Sequence, residues 1–181
     1  TEELGLVDHR RGVALAGSGN WVYRGAGAAL EWALLNHFLD AHRRAGYEFV
    51  LPPHQLAWEV AQRGRESPWS AGGVRSPWSA ATARQGVYVL PPAETALVSR
   101  HRGEPLDEPD LPLKYVSYTP CYRREAGGYR AAERGTLRGH QFNKVEMVQY
   151  VRPEESAAAQ RELLARAEEL VAGLGLHHRL V

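Results

Sequence analysis

Apolar side chains recur at helical spacing over residues 25–47, which predicts a helix. Its apolar positions are Leu30, Leu34, Leu35, Phe38 and Leu39. Arg43 and Arg44 stand where the last turn would lie, and Gly46 comes just beyond them. Basic residues followed by glycine are typical of a helix C-terminal end.

Two further helices follow from the same pattern. Residues 153–175 begin with Pro153 and two glutamates, which suit a first helical turn. Their apolar stripe consists of Leu163, Leu164, Ala167, Leu170 and Val171. A shorter helix is predicted over residues 92–102, with Pro92 near its start and Glu94 in its first turn.

Strands are predicted where aromatic and β-branched residues cluster, over residues 47–53, 87–92, 114–125 and 141–151. The last two are joined by a connection rich in glycine and arginine, so we expect a long antiparallel hairpin. A polar loop with three prolines precedes the hairpin at residues 104–112. The pattern therefore predicts an α+β fold, an antiparallel β-sheet flanked by helices.

Residues 62–86 are predicted to form a loop. They contain SPWSA twice, at 67–71 and 76–80, among glycine, arginine and serine. The repeat is too short to indicate a repeat fold. Two interpretations stay open: a surface segment whose tryptophans pack locally, or a lid over a substrate.

The length, net charge and cysteine count of the chain exclude several classes of function. A chain of 181 residues can form one sizeable domain with its own core. Its net charge of +1 excludes a broad basic surface for non-specific nucleic-acid binding. The single cysteine, Cys121, excludes a disulfide framework and a cysteine-rich zinc site. We expect a cytoplasmic protein, because the chain has no long apolar stretch and its N-terminus does not look like a signal peptide.

The hairpin carries the candidate chemistry. Because strand side chains alternate, Arg123 and Glu125 share one face of the first strand, and Phe142, Lys144 and Glu146 share one face of the second. Val148 and Tyr150 continue that second face. Residues 121–142 also hold five arginines and His140.

If the two faces coincide, the hairpin suits a nucleoside triphosphate beside an amino acid. A guanidinium binds a phosphate or carboxylate in bidentate fashion, and a phenyl ring stacks on a base. A carboxylate accepts from an amine or ammonium group, and Arg138 could contact a more distal phosphate. The alternative is an ordinary sheet with cross-strand ion pairs and a glycine-rich turn.

The two strands also resemble a known motif. TPCYRREAG and RGTLRGHQFNKVEMV resemble motif 2 of the class II aminoacyl-tRNA synthetases, in the form found in bacterial seryl-tRNA synthetases. The resemblance covers nearly the whole chain, from GLVDHRRGVALAGSGNWVYRG onward, and includes GYEFVLPP in the motif 1 region. A long, ordered set of matches is far more specific than one short motif.

The resemblance implies roles at the ATP end of the site. Arg123 would be the catalytic residue, holding the α-phosphate of ATP and the amino-acid carboxylate as they react. Glu125 would accept from the adenine amino group. Arg138 would contact the γ-phosphate side, and Phe142 would stack on adenine.

At the amino-acid end, the resemblance implies that Glu146 reads the substrate serine. Ala93 and Glu94 match the end of a Thr-Ala-Glu element that binds the amino acid. Pro92 stands where that element has threonine, so a hydroxyl and a backbone donor are lost together. The segment before it also replaces the family's usual loop over the amino acid.

The implied reaction is ATP-dependent activation of serine as seryl-adenylate, with Mg²⁺ assisting, and transfer of the seryl group to tRNA. This chemistry needs positioning and charge neutralisation, so Cys121 is interpreted as a strand residue and not as a nucleophile. No residue is assigned as a metal ligand. A homodimer is also implied, with Pro52 or Pro53 as the motif 1 proline at its interface.

Residues 1–181 are interpreted as one class II synthetase-like catalytic domain with its motif 1 and motif 2 portions. Motif 3 and the tRNA-binding arm have no counterpart in the sequence, so we expect a fold that is incomplete at the C-terminus. Two alternatives stay open beside a serine-tRNA ligase. One is a paralogue that activates another small amino acid or uses another acceptor, as in natural-product biosynthesis. The other is a non-catalytic dimeric module.

Overall fold

The computed structural model describes residues 3–57, 59–60, 87–90, 92–122, 136 and 138–181. The three predicted helices are present, as α2 (Ala26–Arg44), α3 (Ala93–Val98) and α4 (Ser156–Gly173). A 3-10 turn, Pro153–Glu155, leads into α4. The predicted loop at 104–112 contains a second 3-10 turn, Glu108–Asp110.

The sequence pattern did not predict helix α1 (His9–Ala16). Asp8 caps it, because the Asp8 carboxylate accepts a hydrogen bond of 2.8 Å from the backbone N–H of Arg11. Strands β1 (Val7–Asp8) and β2 (Val22–Tyr23) pair in antiparallel fashion on either side of it. The N-terminal segment thus consists of a short helix between two paired strands.

The principal sheet has three strands in the order β3 (Glu48–Phe49), β6 (Leu113–Tyr122), β7 (Gln141–Tyr150). Strands β6 and β7 form the predicted antiparallel hairpin, with ten paired residues from Leu113↔Tyr150 to Tyr122↔Gln141. Strand β3 is shorter than predicted and runs parallel to β6. The sheet is thus mixed at this edge and antiparallel within the hairpin.

A second, two-stranded antiparallel sheet is formed by β4 (Gln55–Ala57) and β5 (Val87–Val89). Leu90 ties it to the hairpin: its N–H donates to the His54 carbonyl at 2.9 Å, and its carbonyl accepts from Tyr122 N–H at 3.1 Å. Leu90 is completely buried. This connection brings the start of α3 to the far end of β6.

Helices α2 and α4 cover one face of the hairpin. Trp32 of α2 meets Tyr118 edge-on, with ring centroids 5.6 Å apart. Lys114 donates to the Glu162 carboxylate of α4 at 2.9 Å. Of the predicted apolar face of α2, Leu35 is buried, but Leu30 is 55% exposed. The helix face toward the sheet is therefore centred on Leu35 and His42.

Helix α3 covers the opposite face of the hairpin. The Tyr150 hydroxyl donates to the Leu97 carbonyl at 2.7 Å, and Ala93 and Leu97 are almost fully buried. The His101 ring, just after α3, stacks on Tyr115. Within the described residues, none of the helices combines the length and apolar character that crossing a bilayer requires.

Candidate functional site

The face of the hairpin toward α3 carries the predicted site residues of β7. Phe142, Lys144 and Glu146 lie on it together, as the period of two predicted. Their cross-strand partners are Cys121, Thr119 and Ser117, in that order. The other face, with Lys114 and Tyr118, is occupied by α2 and α4.

Three small polar residues of β6 form the floor of this face. Ser117, Thr119 and Cys121 are each completely buried. The Thr119 hydroxyl lies 3.6 Å from the Cys121 sulfur. Burial raises the pKa of the Cys121 thiol, although the hydrogen bond with Thr119 and the nearby Lys144 ammonium oppose the shift. The thiol is therefore protonated at neutral pH, in agreement with its interpretation as a strand residue.

Above the floor, Lys144 and Glu146 form an ion pair with 2.5 Å between Nζ and Oε2. The Glu146 side chain is 16% exposed and that of Lys144 is 33% exposed. A carboxylate this far from bulk water gains more from a neighbouring cation than a surface carboxylate does. The ion pair therefore holds the Glu146 carboxylate in place on this face, in contact with the Lys144 ammonium group.

The N-terminus of α3 borders the same face. Pro92 is the N-cap residue, with an extended backbone (φ −127°, ψ 160°) and no side-chain hydrogen bond to the helix. The backbone amide of Ala93 lies beside the Cys121 thiol and favours its ionised form. Ala93 is fully buried, whereas the Glu94 side chain is exposed. The structure thus brings Ala93 to Cys121 and leaves Glu94 toward solvent.

Arg138 lies at the turn that leads into β7, with its side chain exposed. It is separated from Phe142 by Gly139, His140 and Gln141, of which Gly139 is buried. Arg123 and Glu125 lie outside the described residues, as do both SPWSA copies. Within the described residues, Phe142, Glu146 and the start of α3 therefore lie on the same face of the hairpin, and Arg138 lies just before β7.

Sequence reasoning did not predict the contact between the turn that precedes β2 and the residues just before β7. Gly19 and Trp21 in this turn contact His140 and Gly139, directly before β7. The signal available in the sequence was the glycine-rich stretch AGSGNW, whose glycines at 17 and 19 both have positive φ angles. Glycine at such positions indicates a tight turn but not what the turn packs against.

A family profile described as the tRNA synthetase class II core domain (G, H, P, S and T) matches residues 80–181. The chain belongs to this class II synthetase family. Among curated relatives, Serine--tRNA ligase 2 of Clostridium acetobutylicum is 54% identical over 175 residues, which cover 97% of this chain and 41% of that protein. The serine--tRNA ligase of Chlorobaculum parvum is 41% identical over 181 residues, covering 99% of this chain and 41% of the relative.

Solved structures agree with this synthetase fold. Seryl-tRNA synthetase from Pyrococcus horikoshii, complexed with ATP, superposes with a TM-score of 0.84 at 34% identity, covering 94% of this chain and 37% of that one. Cytoplasmic serine-tRNA ligase from Naegleria fowleri, in complex with AMP, gives a TM-score of 0.87 at 22% identity over 96% of this chain and 40% of its own. The chain therefore spans about two fifths of the length of the curated relatives that it matches.

Proposed function

We propose that this chain is part of the catalytic domain of a serine-tRNA ligase, which activates serine with ATP and transfers it to tRNA. One observation carries the proposal: Phe142 and Glu146 lie on one face of β7, above the buried floor formed by β6. The similarity to serine-tRNA ligases at up to 54% identity supports serine as the amino acid.

In this proposal the face of β7 holds both substrates side by side. The phenyl ring of Phe142 stacks on adenine, and the carboxylate of Glu146 accepts from the substrate ammonium group. The two residues are four positions apart on a strand, which places them about 13 Å apart along its axis. That separation suits an adenylate, whose base and aminoacyl group stand at its two ends. Arg138, at the edge of the face, contacts the distal phosphates of ATP.

Arg123 and Glu125 complete the proposed site. Arg123 holds the α-phosphate of ATP and the serine carboxylate, and Glu125 accepts from the adenine amino group. A serine carboxylate oxygen attacks the α-phosphorus, the bond to the bridging oxygen breaks, and pyrophosphate leaves with the electron pair. The terminal ribose hydroxyl of tRNA then attacks the seryl carbonyl carbon, the bond from that carbon to the phosphate oxygen breaks, and AMP leaves with the electron pair as the hydroxyl proton is released.

Pro92, Ala93 and Glu94 are proposed to border the serine pocket. Pro92 offers neither a hydroxyl nor a backbone donor. The pocket therefore holds serine with fewer polar contacts on this side, and discrimination against alanine or glycine rests more heavily on the rest of the pocket. This observation favours a second candidate function, in which a paralogue activates another small amino acid or uses another acceptor.

Magnesium is proposed only as the partner of the ATP phosphates, whose charge it would neutralise. Within the described part of the chain, no cluster of three or more His, Cys, Asp or Glu side chains could hold a metal ion. Because Mg²⁺ is usually bound by substrate phosphates and water with only one or two carboxylates, every step above is assigned to residues of the chain.

We further propose a cytoplasmic homodimer in which residues 1–181 supply the motif 1 and motif 2 portions of one catalytic domain. Exposed apolar side chains on α2 and after β3 support an interface there, with Leu30 55%, Trp32 57% and Leu51 67% exposed. Pro52 and Pro53 follow Leu51 directly. An interface core of this kind is typically apolar and aromatic.

ATP–pyrophosphate exchange by the full-length protein with a panel of amino acids tests the proposal. Serine-dependent exchange, lost in Arg123→Ala, is the expected result. Exchange with alanine, glycine or threonine but not serine would establish the second candidate. Absence of both exchange and ATP binding would overturn the proposal in favour of a non-catalytic dimeric module.

A further inference from the structure

The turn before β2 packs directly against the residues that precede β7. The backbone N–H of His140 donates to the carbonyl of Gly19 at 3.1 Å. This hydrogen bond joins positions that are far apart in sequence, one in the N-terminal segment and one beside the proposed ATP site. The two backbones therefore lie in direct contact and not merely near each other.

Two glycines permit this contact. A Cβ on Gly139 would lie 2.3 Å from the Cη2 and Cζ3 atoms of Trp21. A Cβ on Gly19 would lie 2.8 Å from Cδ2 of His140, and Gly19 has a φ angle of +78°. Carbon atoms in van der Waals contact are normally about 3.5–4.0 Å apart. A larger residue at Gly139 must therefore displace the Trp21 ring or the turn, and one at Gly19 must displace the His140 imidazole.

Trp21 has little room to retreat. On its other side lies α1, where a Cβ on Gly12 would come within 2.2 Å of the Trp21 Cα atom. The Trp21 ring also meets Tyr23 edge-on, at 6.1 Å between centroids, and lies 6.4 Å from the His9 ring. The Trp21 backbone is thus held against α1, and its half-buried indole lies between His9, Tyr23 and Gly139, so a methyl group added at Gly139 pushes on the indole and on the turn before β7.

We infer that Gly19 and Trp21 are positioning residues for the ATP end of the site, acting on the turn that carries Arg138 and leads into β7, where Phe142 is the second residue. Gly139 lies next to Arg138 and three residues before Phe142. A shift of the turn by about 1 Å would misplace both side chains relative to ATP, and misplacements of this size cost up to about 100-fold in rate. The serine end, at Glu146, lies further along a strand that is paired with β6. The inference rests on the proposed function.

Glycine-to-alanine variants of the full-length protein distinguish the positioning role of this contact from the effect of backbone strain at a glycine with positive φ. Gly19→Ala and Gly139→Ala introduce the two close contacts described above. Gly17→Ala is the matched control, because Gly17 lies in the same turn with a φ angle of +84° but a Cβ there would meet nothing within 4 Å. All three variants are compared by melting temperature, by KM for ATP and serine in exchange, and by ATP affinity in calorimetry.

Gly19→Ala and Gly139→Ala are expected to weaken ATP binding by about 10-fold or more, with KM for serine changed less than about 2-fold. Gly17→Ala is expected to lower the melting temperature and leave ATP binding unchanged, since strain alone does not reach the site. Equal effects of Gly17→Ala and Gly19→Ala on ATP affinity would overturn the inference. A parallel rise in KM for ATP and serine would overturn it too, because general damage to the fold affects both substrates.

A second pair of variants applies even if Gly139→Ala fails to fold. Trp21→Leu removes the indole without adding a clash, and the loosened turn is expected to weaken ATP binding by about 10-fold. Combined with Gly139→Ala it opens the space that the new methyl group needs, so the double variant should bind ATP no worse than Trp21→Leu alone. ATP affinity unchanged in Trp21→Leu would refute the inference.

Calorimetry with ATP alone distinguishes a failure of the proposed serine-activating function from a failure of the positioning role. Wild-type protein that binds ATP but shows no serine-dependent exchange would contradict the proposed amino acid and leave the positioning role testable. Wild-type protein that binds no ATP would overturn both.

Discussion

The ammonium group of Lys144 lies 2.5 Å from a carboxylate oxygen of Glu146, two residues further along the same face of β7. A carboxylate that is 16% exposed would be costly to keep ionised alone. The neighbouring cation offsets that cost and holds the carboxylate in one orientation. Both features matter to a group that is proposed to receive a substrate ammonium.

Glu146→Gln is expected to raise KM for serine by about 10-fold to 100-fold, because a hydrogen bond to a charged group contributes about 1.5–3 kcal/mol. KM for ATP should change little, since Phe142 and Arg138 are untouched. The measurement is ATP–pyrophosphate exchange at varied serine and varied ATP. Glu168→Gln, an exposed position on α4, is the control for loss of one negative charge. An equal rise in both KM values would remove Glu146 from the serine pocket.

Lys144→Met tests whether the cation orients Glu146. It should raise KM for serine by about 5-fold, a smaller effect than that of Glu146→Gln, because the carboxylate remains but is less well held. Lys144→Arg keeps the positive charge and should preserve most of the serine affinity. If Lys144→Met and Lys144→Arg behave alike, charge at this position has no part in serine binding.

Glu162 of α4 connects this helix to the sheet. Its carboxylate accepts from Lys114 at 2.9 and 3.0 Å and from Arg166 at 3.0 Å. Hydrogen bonding to Lys114, aided by Arg166, lowers the pKa of Glu162 despite its partial burial. Glu162→Gln should therefore lower the free energy of unfolding by about 1 kcal/mol at pH 7.

The same ion pair predicts a pH dependence. Because the pKa of Glu162 is lower in the folded state, its stabilisation is complete above the unfolded pKa of about 4.3 and is lost as the pH falls through the folded value. Urea unfolding at pH 7 and pH 3.5 measures it. The difference between wild type and Glu162→Gln should shrink at the lower pH, with Glu168→Gln as the control. A difference that is the same at both pH values would exclude the ion pair as its source.

Burial of His42 predicts a second loss of stability on acidification, over a higher pH range than that of Glu162. His42 is only 4% exposed, and burial, together with the Arg166 charge, lowers its pKa. A lowered histidine pKa means that the unfolded chain binds the proton more readily, so stability falls as the pH drops below about 6.5. His42→Phe keeps a ring against Tyr47, whose centroid lies 5.7 Å away, and cannot be protonated.

Urea unfolding between pH 5 and pH 8 checks this expectation. The wild type should lose stability toward pH 5 more steeply than His42→Phe, while the two should differ by about 1 kcal/mol or less at pH 8. The His178→Phe variant is the control, because it makes the same substitution at an exposed histidine. Parallel pH profiles of wild type and His42→Phe would contradict the assignment.

The hairpin and the residues that share its face toward α3 could be predicted from the sequence, because side chains alternate between the two faces of a strand with a period of two. Placing Phe142, Lys144 and Glu146 together needed nothing beyond their spacing. Helix α2 could be predicted in the same way, but not its rotation, since Leu30 and Leu35 both fit an apolar stripe and only packing against β6 and β7 selects Leu35.

Contacts between distant parts of the chain could not be predicted. The parallel pairing of β3 with β6 depends on residues that are far apart in sequence, and no local pattern encodes it. The same holds for Trp21 against Gly139, where a glycine-rich stretch signals a turn without naming its neighbour. The sequence shows that Pro92 stands where the family has threonine. Only the fold shows that this position lies beside the buried residues Ala93 and Cys121.

The parallel pairing of β3 with β6 also constrains how the protein is made. On the ribosome, α2 and β3 emerge well before residues 113–122 do, so their partner surface does not yet exist. During that interval Leu35 and the other sheet-facing side chains of α2 stay open to solvent or to chaperones. The nascent chain should therefore gain protease resistance abruptly, once β6 has cleared the exit tunnel, and not gradually with length.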